Sequence, residues 1–175
     1  MPVLQTNGPA NIYCDGVLAD RIVDNVVVKR GHSCTLVDSY VNGNVVTWGA
    51  RNVTLADTPV RGDVSLFGVT GDVVLGPKGS NCTIDPQFGG NVSLYGDHNV
   101  LVCGAHVCKT LTVAHSDGRL TVRASVARRI KVVHNNRFVA DGNVGHAQAS
   151  AIRLYHDTTT TWVVKHNAPR NVLRK

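Results

Sequence analysis

Four side chains that bind soft metals sit close together in this chain: His98, Cys103, His106 and Cys108. Thiolate and imidazole suit zinc, and structural zinc sites are normally built from paired C-x2–4-C and H-x3–5-H spacings. Here the four fall at a bend between the apolar runs Val100–Val102 and Leu111–Val113, which reads as a polar turn with one buried and one exposed thiol. Carboxylates are the second candidate chemistry. Asp57, Asp63, Asp72, Asp85 and Asp97 are the residues from which a glycoside-cleaving pair would be drawn. Most of them follow glycine at bends, so a turn role already accounts for them, and the chain has no Glu to share acid–base work. There is no phosphate-binding loop, nucleophile elbow or HExxH motif, and Gly89-Gly90 is only a fragment of the calcium-binding β-roll repeat. The expectation is a protein that is not an enzyme and uses no metal or other cofactor.

Five cysteines, an odd number, leave at least one unpaired in a monomer and do not suggest a disulfide framework. Cys14 precedes Cys34 by about one repeat of the periodicity described below, so their sulfurs would stack within bonding reach. A bridge there is one outcome; stacked free thiols in the core are the favoured one, in keeping with synthesis in a reducing compartment. A Cys34–Cys82 pair is set aside because the two belong to different tracks more than two repeats apart. Charge is distributed more tellingly. Residues 1–105 carry six Lys/Arg and nine Asp, while residues 106–175 carry twelve Lys/Arg and three Asp. Arg123, Arg128, Arg129, Lys131, Arg137, Lys165, Arg170, Arg174 and Lys175 are the candidate docking residues, with Arg119 and Arg153 in the same basic set. A field of this sign attracts anionic polymers or acidic protein surfaces. Only Phe138, Tyr155 and Trp162 interleave with it, which is poor equipment for base stacking and argues against sequence-specific nucleic-acid recognition.

The elements that must position these residues are strands. Among 175 residues there are 30 Val and 17 Gly, and all twelve acidic residues are Asp, a composition that disfavours helices and suits pleated strands. A Φ-x-Φ unit recurs along two interleaved tracks. Val26, Val45, Val64, Cys82, Val100 and Leu120 form one; Cys34, Val53, Val73, Val92, Leu111 and Ile130 form the other. Steps within each track stay near 19 residues, whereas an antiparallel sandwich has no reason to hold a double period. The prediction is an all-β parallel β-helix, or β-solenoid, with about 19 residues per coil, each coil carrying two strands and two bends. In Val53-Thr54-Leu55, Val64-Ser65-Leu66 and Val92-Ser93-Leu94 the apolar pair faces inward and the hydroxyl outward. The Gly43-Asn44, Gly62-Asp63, Gly71-Asp72 and Gly90-Asn91 pairs precede strands, where Gly would permit positive φ and Asn or Asp would bond local backbone. Residues 1–25 form an N-terminal cap, 26–133 the solenoid, and 134–175 a basic C-terminal cap or docking element with further strands.

Gly31-His32-Ser33-Cys34-Thr35-Leu36, followed by Val41-Asn42-Gly43-Asn44-Val45 and Gly49-Ala50, resembles a pattern in small β-helix proteins of actinobacteria and their phages. The resemblance covers about residues 26–122 and implies a parallel β-helix with no established activity. Bacterial members usually carry a secretion signal. Met1 to Gly16 show neither a basic n-region nor an apolar h-region, so the expectation moves toward a phage protein that reaches the virion by assembly. No apolar run approaches membrane-spanning length, and no membrane insertion is expected. The leading expectation is therefore a non-enzymatic structural solenoid of a virion, decorating capsid or tail. Its partners would be virion structural proteins or symmetry mates in a homo-oligomer. The alternative is an extracellular or cell-surface module that binds glycans or another anionic surface through outward Asn, Thr and Ser; a polysaccharide-degrading β-helix enzyme ranks below both.

Overall fold

The computed structural model describes residues 10–78, 82, 86–123, 125–135, 137–141, 144–145, 152–155, 162–165 and 172–174. All strand pairs among them are parallel, and none of these residues is helical. Over residues 26–133 the chain winds as a β-solenoid of about six turns with ~19 residues per turn. Three ladders run along it. The long sheet stacks Asn11–Tyr13, Asn25–Val28, Val45–Trp48, Val64–Phe67, Val92–Tyr95, His106–Ala114, Val126–Val133, Ile152–Tyr155 and Val172–Arg174. The second sheet stacks Gly16–Ala19, Ser33–Val37, Asn52–Ala56, Asp72–Gly76, Asn99–Cys103, Arg119–Arg123, Arg137–Asp141 and Trp162–Lys165. Strands thus pair on both sides of the 26–133 span.

The third ladder is narrow and was not anticipated. It passes from Val23 to Val41, Val60, Phe88, Val107 and Ala127 through two-residue strands and single bridges. The coil therefore has three faces rather than two, and Val23, Val41, Val60, Phe88, Val107 and Ala127 close the third side of the core.

The expected alternation holds on the two broad sheets. Val26, Val45, Val64, Val92, Leu111 and Ile130 stack as one inward column, each essentially inaccessible to solvent. Val53, Val73, Val100 and Leu120 stack as another. Each such side chain contributes roughly 1.5–3 kcal/mol of burial. Thr47 is the exception among the inward positions, and its hydroxyl donates to the Val28 carbonyl at 2.8 Å.

These columns correct the two expected tracks. Val64 pairs with Val92, and Val73 with Val100, so the tracks exchange partners and one coil spans 27 or 28 residues. The extra residues leave the strand at Gly76 and return at Gln87–Phe88. Cys82 lies in this insertion and not in a ladder, while Thr83 and Ile84 lie outside the described residues.

The Gly-Asn and Gly-Asp bends are also built differently from expectation. Gly43, Gly62, Gly71 and Gly90 do not have positive φ. Glycine is required there because a Cβ would collide with the Asn or Asp side chain and backbone of the preceding coil. Those side chains bond between coils, not locally. Asn25 Oδ1 accepts the Asn44 N–H at 2.9 Å, Asn44 Oδ1 accepts the Asp63 N–H at 2.8 Å, and Asp63 Oδ1 accepts the Asn91 N–H at 2.6 Å. A second column runs from Asn52 to Asp72, Asn99 and Arg119. Positive φ occurs instead where strands of both broad sheets end, at Gly49, Gly68, Gly96, His115 and His134 after the long sheet and at Asp20, Asp38, Asp57, Gly76 and Gly104 on the second.

Candidate docking site at the basic corner

The corner between the third ladder and the long sheet changes character along the axis. In successive coils it reads Asn42-Gly43-Asn44, Arg61-Gly62-Asp63, Gly89-Gly90-Asn91, then Cys108-Lys109-Thr110 and Arg128-Arg129. From His106 onward the chain no longer breaks there. The strands His106–Ala114 and Val126–Val133 run through, with the register shifting between Val107 and Thr110. Such a bulge re-aims side chains. Arginine thereby takes over the column that Asn and Asp hold in earlier coils, since Thr110 is in register with Arg129. The second column changes in the same way, from Asn99 to Arg119 and then Arg137.

The result is a cavity of about 320 Å³ lined by Asn91, Lys109, Thr110, Arg128 and Arg129. The three cationic side chains are exposed, and none has an ion-pair partner among the described residues. Guanidinium forks, an ammonium, an amide and a hydroxyl converging on one cavity suit a carboxylate or phosphate group.

Of the sequence-predicted docking residues, Arg128 and Arg129 meet here. Lys131 is exposed on the outer face of the same strand, and Arg123 is exposed on the second sheet. Arg137, Lys165 and Arg174 lie on the strands Arg137–Asp141, Trp162–Lys165 and Val172–Arg174. Arg170 and Lys175 lie outside the described residues. Lys109 was not among the candidates; its signal was the loss of the Gly-Asn corner at Cys108-Lys109-Thr110.

The metal-ligand candidates are not brought together. Cys103 is bonded to Cys82 with Cα atoms 5.0 Å apart, and His98 Nδ1 lies 2.7 Å from Asp117 Oδ1. Cys108 is an exposed thiol that accepts a hydrogen bond from the Gln87 amide. The described residues hold no cluster of three such ligands. Cys14 and Cys34 form a disulfide with Cα atoms 5.5 Å apart, which overturns the favoured free-thiol expectation: Gly16 is the rung partner of Cys34, and the connection just before it brings the Cys14 sulfur within bonding distance. Cys82–Cys103 is a second bridge, missed because Cys82 was placed in a strand.

The carboxylate candidates are dispersed and engaged. Asp57 Oδ2 accepts the Lys78 N–H, Asp63 Oδ1 the Asn91 N–H, and Asp72 Oδ1 the Asn99 amide. Asp85 lies outside the described residues. Asp97 is fully buried in the corner column of Ala50, Val69, Asp97, Ser116 and Asn135. Burial pushes its carboxyl up to about 7, against the opposing pull of backbone hydrogen bonds from Val69 and Tyr95.

One exposed feature went unread in the sequence. Trp48 stacks on Phe67 with ring centroids 6.0 Å apart, Phe67 meets Tyr95 at 6.4 Å, and Tyr95 meets His115 at 4.8 Å. The signal was available, because each of the three aromatics stands three residues after the inward Val45, Val64 or Val92.

The fold and corner together define a three-faced parallel β-solenoid with a cationic pocket at one corner. No protein-family model, curated protein or solved structure matches the chain.

Proposed function

We propose that the protein is a non-enzymatic structural β-solenoid, a phage virion component that decorates the capsid or tail and docks through its basic corner. The observation that carries this reading is the replacement of Asn and Asp by cations at one corner, which leaves Lys109, Arg128 and Arg129 without a described acidic partner. A solenoid of inter-coil hydrogen bonds and Val/Leu columns is a stiff body, and the charge split gives it one adhesive region. Exposed single ion pairs contribute about 0–1 kcal/mol each. Firm docking would therefore draw on repetition across a symmetric particle, with several weak contacts made together.

The test is a mass-spectrometric census of purified particles from the source of the gene. The chain should be present in stoichiometric copy number, and Lys109→Glu/Arg128→Glu/Arg129→Glu protein should fail to associate with particles lacking it. Particles without the chain, or full association of the charge-reversed variant, would refute the proposal.

A further inference from the structure

We propose that the outer face of the second sheet, beside the Cys82–Cys103 disulfide, is a binding site for a linear uronate-containing polysaccharide. A cleft of about 580 Å³ lies there, on the outward side chains of Asp72–Gly76, Asn99–Cys103 and Arg119–Arg123. It exists because of the break in the repeat. The insertion after Gly76 is anchored at Lys78, whose N–H donates to Asp57 Oδ2 at 3.0 Å and whose ammonium lies 3.3 Å from Asp38 Oδ2. It is anchored again at Cys82, which is bonded across to the next coil at Cys103. The disulfide thereby forms one edge of the cleft.

The chemistry of the cleft is segregated. Val74, Leu101 and Thr121 are in register on three successive rungs and form a mostly apolar floor, on which Leu101 is exposed, Val74 half-buried and the Thr121 hydroxyl side chain buried. Arg119 and Arg123 flank Thr121 on a single strand, their Cα atoms about 13 Å apart by extended geometry. Neither guanidinium has an ion-pair partner among the described residues, whereas Asp72 is engaged by the Asn99 amide at 3.0 Å.

Two separated cations with an apolar and hydroxyl-bearing strip between them suit a chain of acidic rings. Carboxylates would meet the guanidinium forks, and the C–H face of a pyranose would lie on Val74 and Leu101. A nucleic acid would need stacking partners, and the cleft is lined by no aromatic side chain. An extended peptide is best held by a free sheet edge. The strand Asn99–Cys103 is paired on both sides, which leaves only side chains to do the binding.

The test is isothermal titration of the purified, disulfide-intact protein with hexamers of galacturonate and mannuronate, hyaluronan oligomers, neutral cellohexaose and poly-glutamate. At least one uronate oligomer should bind ten times or more tighter than cellohexaose. Arg119→Ala/Arg123→Ala and, separately, Leu101→Asp should each weaken that binding at least tenfold, while Arg21→Ala, an exposed cation remote from the cleft, leaves it unchanged. Silence across all the uronates, binding untouched by the Arg119 and Arg123 changes, or equal binding of poly-glutamate would overturn the proposal. The free protein is titrated without particles, so this result stands or falls separately from the docking reading.

Discussion

Replacing Asp97 by Asn should make the protein more stable at neutral pH and leave it unchanged in acid. Asp97 occupies an inward corner position with no solvent exposure; Oδ1 accepts the Val69 N–H at 2.8 Å, while Oδ2 has no described partner. Two coils further on, the same position is Asn135. Its Oδ1 accepts the Ser116 N–H at 2.9 Å, and its amide donates to the Val133 and Val113 carbonyls at 2.9 and 3.2 Å. The corner therefore favours a neutral group with a donor, which an ionised Asp97 lacks. Its carboxyl is raised from 3.8 to about 7, so the folded state holds a proton that the unfolded chain releases. The associated stabilisation is complete below about pH 4, is lost as pH rises through 7, and stays lost above that. At about 1.4 kcal/mol per pH unit, the full difference is about 4 kcal/mol. Urea unfolding of wild type and Asp97→Asn at half-unit intervals from about pH 4 to pH 8 measures it. The stability difference should grow from near zero to about 2–4 kcal/mol in favour of Asn. A difference that is flat with pH, or that favours Asp at pH 8, refutes the reasoning.

The inter-coil amide columns make a second prediction: Asn44→Ala takes from the exposed Asp63 N–H its acceptor and should cost about 0.5–1.5 kcal/mol in urea unfolding. Gly62→Ala should also destabilise, by about 1–3 kcal/mol from crowding, because the new methyl group meets Asn44 and the Gly43 carbonyl. Reducing the disulfides, or making Cys14→Ser/Cys34→Ser, should lower stability by about 2–4 kcal/mol, read as a drop in the urea midpoint.

The coil length and the inward columns were legible because Val-x-Leu units repeat with a period that no other all-β architecture imposes. The narrow third ladder was not, since it contributes one buried residue per coil, such as Val41, Val60 or Val107, and a lone apolar residue has no pattern. The exchange of tracks escaped for the opposite reason: Cys82 stands at nearly the right spacing for a strand unit, and only the pairing of Val64 with Val92 and Val73 with Val100 shows that it is passed over. The role of Gly before Asn or Asp was misassigned because the obstruction comes from a neighbouring coil 18 to 27 residues away, as between Gly43 and Asn25 or Gly90 and Asp63. At the basic corner, composition located Arg128 and Arg129. Their convergence with Lys109 depends on a bulge, which sequence spacing records only as a missing glycine.

The disulfides give the molecule a mechanical polarity. In a stack where each coil holds only its neighbours, a pull at one end peels rungs away one at a time. The Cys14–Cys34 bond joins the first described coil to the second, so tension entering at residue 14 passes through sulfur to Cys34 and loads the Val53 rung directly. Cys82–Cys103 does the same across the over-long coil, where a lengthened connection would otherwise yield first. Tethered by its beginning, the solenoid would carry load as a stapled rod.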